Sequence, residues 1–437
     1  MPLRLTVALA IAILVAGCAV QTQAPTSVTS TTATLNADVR CTEGAVTRIW
    51  WELREAGAGS WRAVSAPHDV ACGRSVGPLR IGQRVTGLRS QVTYEYRVAI
   101  DAPPAGGEPL YSNVKRFTTG GDARRPVVAS SVLWANGTRL QLKGVNVWGL
   151  RDSVTTSFGD AQYANRAQVA RTIKSWGANL VRFRVLADEY TPAQLQRIKD
   201  WRDAVVGQGM YFMVCSWDAL DGAHSDAGWA GNGWRVHQMF KDIHAALGDD
   251  PMVIYEVTNE PNNVSWDAWT ANMQASVQYF RETIGYRGLL VIDPIWWANS
   301  GTGGQGYSDA RYSALEAYDA ARLGGPHQLA FAKHDYANGY ANKAWNSAAW
   351  VAAQGGSQTK HLIFETEFGN YNGDPSTVSP AWASAAATFF AGRFAAQPNY
   401  VGAAAFVFGP WWDANALTGG DNATPTAWGS TVKDKLF

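Results

Sequence analysis

Eight apolar, β-prone runs recur along the later part of the chain, and they limit the folds it can adopt. Successive runs begin roughly 30 to 45 residues apart, which leaves room for one helix and two loops after each. The runs are Leu140–Val147, Leu180–Val185, Tyr211–Cys215, Val253–Val257, Leu289–Ile292, Leu329–Ala332, His361–Phe364 and Ala403–Phe408. Between them lie segments of helical length and amphipathic spacing, namely Ala167–Trp176, Pro192–Gln208, Trp234–Leu247, Trp266–Ile284 and Pro380–Ala396.

This alternation is typical of an α/β fold with a parallel sheet. A doubly wound open sheet and a closed barrel would both produce it. Two features favour the barrel: the runs number eight, and polar residues gather at their ends, where barrel enzymes place their chemistry. We therefore predict a TIM (β/α)8 barrel over residues 126–437.

The segment before the barrel has a different pattern, with short alternating strands separated by Gly and Pro. Val85-Thr-Gly-Leu88 precedes the Tyr-containing run Thr93–Val98, and Arg116-Phe-Thr-Thr119 closes the segment. These residues resemble a fibronectin type III domain, which implies a small all-β sandwich over residues 33–119. Residues 120–125 are expected to be the linker.

The first residues resemble an export signal. An apolar stretch that is too short to span a bilayer follows Arg4 and ends in Val15-Ala-Gly-Cys18. This ending resembles the bacterial lipoprotein signal, and the resemblance implies acylation of Cys18. Ordinary secretion, with cleavage somewhere between Ala16 and Ala24, is the alternative.

We therefore expect an exported protein, either anchored by lipid at Cys18 on the outward face of a bacterial membrane or secreted. Residues 1–18 would be the signal peptide. Residues 19–32 are rich in Thr, Ser and Gln, which predicts a flexible tether.

The four cysteines are few for a disulfide framework. Cys41 and Cys72 lie in the same early segment, which predicts one disulfide between them in an exported chain. Cys215 lies in a hydrophobic run and is expected to be a buried free thiol.

Charge and aromatic content narrow the class of partner. The 37 Lys and Arg residues nearly balance the 36 Asp and Glu residues, so nothing predicts nucleic-acid binding. The 20 Trp residues offer flat apolar faces suited to sugar rings, although large cores also use Trp. A neutral polysaccharide fits both observations, and we expect the protein to act on it as a monomer.

Acidic residues close two of the apolar runs. Asn259-Glu260-Pro261 follows the fourth run, and Glu367-Phe-Gly369 follows the seventh. A pair of carboxyl groups is what hydrolysis of a glycosidic bond requires.

Five motifs in order along the barrel segment resemble glycoside hydrolase family 5, the cellulase family, within the clan of barrel glycosidases with catalytic glutamates on strands four and seven. They are Gly144-Val-Asn-Val-Trp-Gly149, Gly177-Ala-Asn-Leu-Val-Arg182, Asn259-Glu260-Pro261, His334-Asp-Tyr336 and Glu367-Phe-Gly369.

The resemblance implies a retaining hydrolase that acts by double displacement, with its two carboxyl groups about 5 to 5.5 Å apart. Glu260 would be the acid/base, and Glu367 the nucleophile. Asn259 would hold the sugar 2-hydroxyl, and His334 would orient the site and bind sugar.

Arg182 and Tyr336 would keep Glu367 ionised. They too are expected near the substrate.

Two further acids on the same strands could be mistaken for this pair. Glu256 and Glu365 share a face with Glu260 and Glu367 by strand alternation. We interpret them as deeper barrel residues paired with Arg182 or Arg184, because a buried acid requires a partner.

The sequence departs from the family pattern at two strands. Trp217 lies where many members carry a His at the end of strand three, and Trp411 and Trp412 come slightly later than the usual strand-eight Trp. These three residues, together with Trp296 and Trp297, are candidates for stacking on sugar, although some of the five are expected to be ordinary core. The departures leave the preferred sugar open.

An endo-β-1,4-glucanase is the first hypothesis for function. An endo-β-1,4-mannanase or another β-glycosidase of the family is the alternative, and a non-catalytic carbohydrate-binding surface lipoprotein is a third. The chain has no His-x-x-x-His or Cys-x-x-Cys spacing. We expect neither a metal site nor an organic cofactor.

Overall fold

The computed structural model divides the chain into two compact units, Met1–Asp122 and Ala123–Phe437, and this boundary falls inside the expected linker. The structure describes residues 18–29, 32–41, 46–71, 78–86, 88, 92–101, 108–129, 131–149, 156–185, 187, 190–217, 226–262, 264–298, 307–336, 361–370, 398–410 and 415–437. None of the helices in these ranges is long and apolar enough to cross a membrane.

The N-terminal unit contains two antiparallel sheets around one buried core. Its strands are β1 (Cys18–Thr26), β2 (Ala33–Cys41), β3 (Val46–Glu55), β4 (Arg62–Ala63), β5 (His68–Ala71), β6 (Leu79–Val85), β7 (Thr93–Ile100), β8 (Leu110–Tyr111) and β9 (Lys115–Thr118). One sheet has the order β1-β2-β6, and the other β4-β3-β7-β8, with β5 also paired to β3 and β9 to β7. Alternate residues such as Leu35, Trp51 and Tyr96 fill the core, which confirms the all-β prediction for this unit.

The flexible tether expected over residues 19–32 is wrong for residues 19–26. They form most of β1, which pairs with β2 from Cys18 opposite Cys41 to Thr26 opposite Thr34. The backbone N–H of Thr22 also donates to Asn113 Oδ1 at 2.9 Å, and the Tyr96 hydroxyl donates to the Gln23 carbonyl. Pairing with β2 supplies the backbone bonds that this polar segment would otherwise make with water.

Some expectations fall outside the described residues. Cys72, Trp411 and Trp412 lie there, as do the side chain of Cys41 and the segment 380–396. The Cys41–Cys72 disulfide therefore stays a prediction. Cys215 is a buried free thiol, as expected.

The second unit is a closed barrel of eight parallel strands, which confirms the predicted TIM barrel. A small antiparallel sheet precedes it, made of β10 (Val127–Ala129), β11 (Val132–Ala135) and β12 (Thr138–Arg139). The barrel strands are β13 (Leu142–Val147), β14 (Leu180–Val185), β15 (Tyr211–Ser216), β16 (Val253–Glu256), β17 (Leu290–Ile292), β18 (Leu329–Tyr336), β19 (Ile363–Gly369) and β20 (Tyr400–Phe408). All eight overlap the apolar runs in the sequence, although β18 and β19 extend beyond the predicted ends.

In the described connections, helices lie between the strands on the outside of the barrel. They are α1 (Thr156–Ala164), α2 (Arg166–Ser175), α3 (Pro192–Val206), α4 (Asp226–Leu247), α5 (Trp266–Gln278), which continues as a π-helical segment (Tyr279–Ile284), α6 (Asp309–Leu323) and α7 (Ala427–Leu436). Helix α3 begins with a capping box between Thr191 and Gln194 and has Pro192 in its first turn.

Strand β14 shows how two layers of core coexist. Val181, Phe183 and Val185 join the core beneath the helices, whereas Leu180 belongs to the core inside the barrel. Arg182, on the same face as Leu180, is also fully buried and contacts polar side chains of other strands. A charged residue at this point of an otherwise apolar strand therefore marks the polar end of the barrel interior.

Arg281 connects the π-helical segment to the barrel. Its Nε donates to Asp319 Oδ1 at 2.7 Å, and its guanidinium also donates to the carbonyls of Tyr286, Gly288 and Gln328. Both side chains of the ion pair are buried, with 1% and 0% exposure. Removing one partner would leave a charge without compensation in the interior.

We therefore expect Arg281→Met to lower the free energy of unfolding by about 3–5 kcal/mol, measured by urea denaturation. Arg311→Met is the matched control, because Arg311 pairs with the largely exposed Asp267 and should change stability little. Equal effects of the two substitutions would contradict the importance assigned to the buried pair.

Candidate active site

Two glutamates meet at the carboxyl end of the barrel. Glu260 follows β16, and Glu367 lies in β19 opposite His334 of β18. A carboxylate oxygen of each and a ring nitrogen of His334 all lie within 4.8 Å of one another. The side chain of Glu260 is 25% exposed, whereas that of Glu367 is 2% exposed. The structure thus brings together the two acids that the sequence selected.

Arg182 is the centre of the polar contacts below these acids. Its Nη1 donates to Glu367 Oε1 at 2.5 Å and to Asn146 Oδ1 at 2.8 Å. Its Nε donates to Glu256 Oε2 at 2.5 Å, and its Nη2 to Asn259 Oδ1 at 2.7 Å. One buried guanidinium therefore holds side chains from four other places in the barrel.

Glu367 receives a second strong hydrogen bond on its other oxygen. The Tyr336 hydroxyl donates to Glu367 Oε2 at 2.5 Å. Burial and the charge of Glu367 raise the pKa of Tyr336 well above its usual value, so it remains a donor at neutral pH. With Arg182 on one oxygen and Tyr336 on the other, the carboxylate form of Glu367 is held by charge-assisted bonds.

Glu260 has a different neighbour. His334 Nδ1 lies 2.7 Å from Glu260 Oε1, and Nε2 lies 2.9 Å from the Thr366 hydroxyl. Burial lowers the pKa of His334 to about 4, so the imidazole is neutral at neutral pH. Glu260 therefore faces a polar but uncharged partner, whereas Glu367 faces a cation.

The backbone at Glu260 has an unusual conformation. Its φ is 50°, in the left-handed region that non-glycine residues rarely adopt. The Glu260 N–H donates to Asp293 Oδ2 at 2.9 Å, and the next residue, Pro261, accepts a bond from the Trp297 N–H at 3.2 Å. Such backbone strain is found where the surrounding contacts fix a functional side chain.

The competing acids are accounted for by other contacts. Glu256 pairs with Arg182, as expected. Glu365 does not pair with Arg182 or Arg184; it accepts a bond from the Tyr400 hydroxyl at 2.6 Å and lies 3.6 Å from Lys333 Nζ. That part of the prediction was wrong, because the register of β19 shifts between Glu365 and Phe368, so strand alternation does not give the partners of Glu365.

Arg184 instead stacks on aromatic rings. Its guanidinium carbon is 3.9 Å from the ring centroid of Trp148 and 4.6 Å from that of Trp217. Trp217 also stacks on Phe406 at 5.7 Å with an interplanar angle of 20°. The ring proposed for sugar stacking is therefore half-buried in an aromatic group next to Tyr336.

Two other tryptophans are more exposed. Trp296 and Trp297 have 44% and 48% of their surface exposed. Together with Ala298 they form three successive residues in the left-handed region, with φ values of 62°, 53° and 53°. Because the Trp297 N–H bonds to Pro261, this strained turn lies beside the loop that carries Glu260.

The sequence did not identify three further residues among those described at the site: Asn146, Asp293 and Thr366. Asn146 lay inside a quoted motif, and its Nδ2 donates to the Thr366 carbonyl at 3.0 Å. Asp293 directly follows the short strand β17, and an acid at a strand end was the available signal.

Two sets of side chains in the described ranges have the spacing of metal ligands. They are Glu256, Asp293 and His334, and Glu260, His334 and Glu367. Arg182 already places a positive charge 2.5 Å from Glu256 and from Glu367, so a cation bound by either set would be next to a guanidinium. The arrangement fits acid–base and nucleophilic chemistry by carboxyl groups better than it fits binding of a metal ion.

The low pKa of His334 has a consequence for stability. The pKa of His334 is about 4 in the folded chain, below the ordinary value of 6.5. Between these two pH values the imidazole is therefore protonated in the unfolded chain and neutral in the folded chain. The contribution of His334 to the free energy of unfolding is fully present above pH 6.5 and is lost as pH falls toward 4. We expect the stability of His334→Gln relative to the native chain to increase as pH is lowered from 7 to 4.5.

Chemical denaturation at a series of pH values measures this difference. His68→Gln in the N-terminal unit is the control, because His68 is exposed and lies outside the barrel. A pH-independent difference for His334→Gln would contradict the neutral imidazole.

Comparisons with known proteins agree with this geometry. The family described as cellulase (glycosyl hydrolase family 5) matches residues 133–399. Endoglucanase MaCel5A of Microbulbifer sp. is 33% identical over 143 residues, which are 31% of this chain and 25% of that protein. Endoglucanase Z of Dickeya dadantii is 24% identical over 292 residues, which are 64% of this chain and 57% of that protein. The chain thus spans between a quarter and three fifths of these relatives.

Solved structures share the fold. The catalytic domain of Thermobifida fusca endoglucanase Cel5A aligns with a TM-score of 0.54 at 17% identity, covering 71% of this chain and 97% of that one. A β-mannanase from Streptomyces thermolilacinus aligns with a TM-score of 0.52 at 20% identity, covering 71% and 95%. The family match extends over most of the chain and includes both glutamates, and this protein therefore belongs to glycosyl hydrolase family 5.

Proposed function

We propose that the protein is a retaining endo-β-1,4-glucanase, with Glu260 as acid/base and Glu367 as nucleophile. One observation carries the proposal: carboxylate oxygens of these two residues lie within 4.8 Å, and their partners differ in charge. Inverting enzymes keep their carboxyl groups about 6.5–9.5 Å apart to admit a water, whereas retaining enzymes keep them about 5–5.5 Å apart.

In the first step, the Glu367 carboxylate attacks the anomeric carbon while the glycosidic C–O bond breaks. Its electron pair goes to the leaving oxygen, and Glu260 gives its proton to that oxygen. Arg182 and Tyr336 orient the attacking carboxylate, each at 2.5 Å. The product of this step is a covalent glycosyl-enzyme.

In the second step, Glu260 takes a proton from water while the water oxygen bonds to the anomeric carbon. The ester bond to Glu367 breaks, and Glu367 returns to its carboxylate form. Donation from His334 Nδ1 to Glu260 Oε1 fits both steps if Thr366 donates to Nε2. The neutral imidazole then orients Glu260 without a positive charge that would oppose its protonation.

Asn259 is suited to bind the sugar 2-hydroxyl. Its Oδ1 accepts a bond from Arg182 at 2.7 Å, which turns the amide NH2 toward another acceptor. A bond to the 2-hydroxyl strengthens as the oxocarbenium-like transition state forms. Arg182 thereby orients a substrate ligand as well as the nucleophile.

Glucan is the first choice of substrate because the curated relatives reported above are endoglucanases. The exposed Trp296 and Trp297 beside the Glu260 loop offer flat faces to a neutral chain. Trp217, Trp411 and Trp412 remain candidates for further stacking.

Mannan is the alternative, since a β-mannanase shares the fold at a similar TM-score. Release of reducing sugar from carboxymethylcellulose, glucomannan, mannan and xylan separates these substrates. Preference for pure mannan would replace the glucanase assignment and leave the two glutamates in their roles.

Substitution of the acid/base tests the chemistry. We expect Glu260→Gln to reduce turnover on polysaccharide by about 10²–10⁴-fold. The loss should be smaller for an aryl cellobioside with a good leaving group, which needs no proton, and azide should restore its turnover by replacing water in the second step.

Glu282→Gln is the matched control, because Glu282 is half-exposed and lies in the π-helical segment, outside the site. Unchanged turnover of Glu260→Gln on polysaccharide would remove Glu260 from the mechanism. Absence of activity in the unmodified chain on all four polysaccharides would favour the non-catalytic binding protein.

We also propose that the chain is exported and acylated at Cys18, and that the N-terminal unit is a fibronectin type III-like spacer with a Cys41–Cys72 disulfide. The signal-like residues before Cys18 and the two antiparallel sheets support this. Because β1 begins at Cys18, the anchor would join the spacer without a tether. Intact mass of the membrane fraction tests it: an unlipidated Cys18 or free thiols at both Cys41 and Cys72 would contradict it.

A further inference from the structure

A pair of acids that the proposed mechanism does not use lies beneath the site. Glu256 ends β16, and Asp293 follows β17, the neighbouring strand. Both are fully buried, at 0% exposure. An oxygen of each and a ring nitrogen of His334 lie within 4.8 Å of one another. Two negative charges this close in the interior would repel each other strongly.

Each of the two carboxyl groups has one satisfied oxygen. Glu256 Oε2 accepts a bond from Arg182 Nε at 2.5 Å, and Asp293 Oδ2 accepts one from the Glu260 N–H at 2.9 Å. Within the described parts of the chain, Glu256 Oε1 and Asp293 Oδ1 receive no hydrogen bond from an N–H or hydroxyl donor. A single proton between the two acids would satisfy both remaining oxygens.

Among the residues that the structure describes, no cation pairs with Asp293 alone. The groups that face it are Glu256, Arg182, His334, Cys215, Tyr312 and the Glu260 backbone. Burial raises the pKa of the Cys215 thiol and of the Tyr312 hydroxyl, so both are neutral, as is His334. Arg182 is positive but is already shared by Glu256 and Glu367.

The proton is better placed on Asp293 than on Glu256. Burial, and then the charge of Glu256 and the hydrogen bond with it, raise the pKa of Asp293 well above its usual value. Burial alone would raise the pKa of Glu256 too, but the charge of Arg182 and its hydrogen bond lower it. The pair therefore carries one negative charge, on the acid next to the guanidinium.

We propose that Asp293 is a positioning residue for Glu260 and acts as a neutral carboxylic acid. It donates its proton to Glu256 Oε1 and accepts the N–H of Glu260, which holds Glu260 in its left-handed backbone conformation. Being neutral, it adds no charge next to a residue that gains and loses a proton in each cycle. The proposal rests on the acid/base role of Glu260.

Asp293→Asn tests the protonation state, because an amide reproduces both hydrogen bonds without titrating. A group whose folded pKa is raised stabilises the fold fully below its unfolded pKa, near 4, and this contribution is lost as pH rises. We expect the stability of Asp293→Asn relative to the unmodified chain to increase between pH 4.5 and 7.5. The ratio of the two unfolding constants should change by up to tenfold per pH unit.

Asp319→Asn is the matched control. Asp319 is equally buried, but Arg281 and the Gln328 N–H occupy its oxygens. This variant should lose stability, because it breaks the buried ion pair with Arg281. A pH-independent difference for Asp293→Asn, or failure of Asp293→Asn to fold at neutral pH where the unmodified chain folds, would overturn the proposal.

The acid can also be observed directly. With carbon-13-labelled aspartate, the unmodified chain should show the infrared carbonyl band of a protonated carboxylic acid at pH 7, and this band should be absent from Asp293→Asn. Spectra without the band would overturn the neutral state. Neither this measurement nor the stability series requires substrate, so each can succeed even if the proposed hydrolysis fails.

Kinetics test the positioning role. Asp293→Ala removes the acceptor of the Glu260 N–H, and misplacement of a catalytic group by about 1 Å can cost about 100-fold. We expect kcat on cellulosic substrate to fall by about 10- to 100-fold with little change in KM, and Asp293→Asn to recover at least tenfold of that loss. Equal kcat values for the Ala and Asn variants would show that Asp293 does not position Glu260.

Discussion

The polar end of the barrel depends on one buried cation, Arg182. Its guanidinium has five N–H donors in a fixed plane. They donate to Asn146, Glu256, Asn259, Glu367 and the sulfur of Cys215. A buried charge is costly unless it is paired and fully hydrogen-bonded. These contacts satisfy that condition and at the same time fix the orientation of the groups that would act on substrate.

The same cation creates the difference between the two glutamates. Glu367 lies against Arg182 and the Tyr336 hydroxyl, which favour its charged form. Glu260 has a backbone φ of 50° and lies beside the neutral His334. Two identical side chains thus have partners of different charge, which suits the proposal that one gives a proton while the other attacks.

The sequence predicted the barrel and the two glutamates because both leave strong local signals. A buried parallel strand is a continuous apolar run, and a catalytic acid at its end is a conspicuous exception. Strand β1 was missed because a polar edge strand has no such signal. Its Thr and Gln residues are typical of a flexible tether, but pairing with β2 makes them a strand. The partners of Glu365 and the role of Asp293 depend on contacts between strands distant in the chain, which spacing along one strand does not encode.

The most direct test of the account is to capture the covalent intermediate. Reaction with 2-deoxy-2-fluoro-β-cellobiosyl fluoride should glycosylate the nucleophile with loss of fluoride. The 2-fluoro substituent should slow hydrolysis of this glycosyl-enzyme, so that mass spectrometry of proteolytic peptides can locate the sugar. The account predicts the label on Glu367, the acid within 2.5 Å of both Arg182 and Tyr336. A label on Glu365, Glu256 or Glu260 would contradict it.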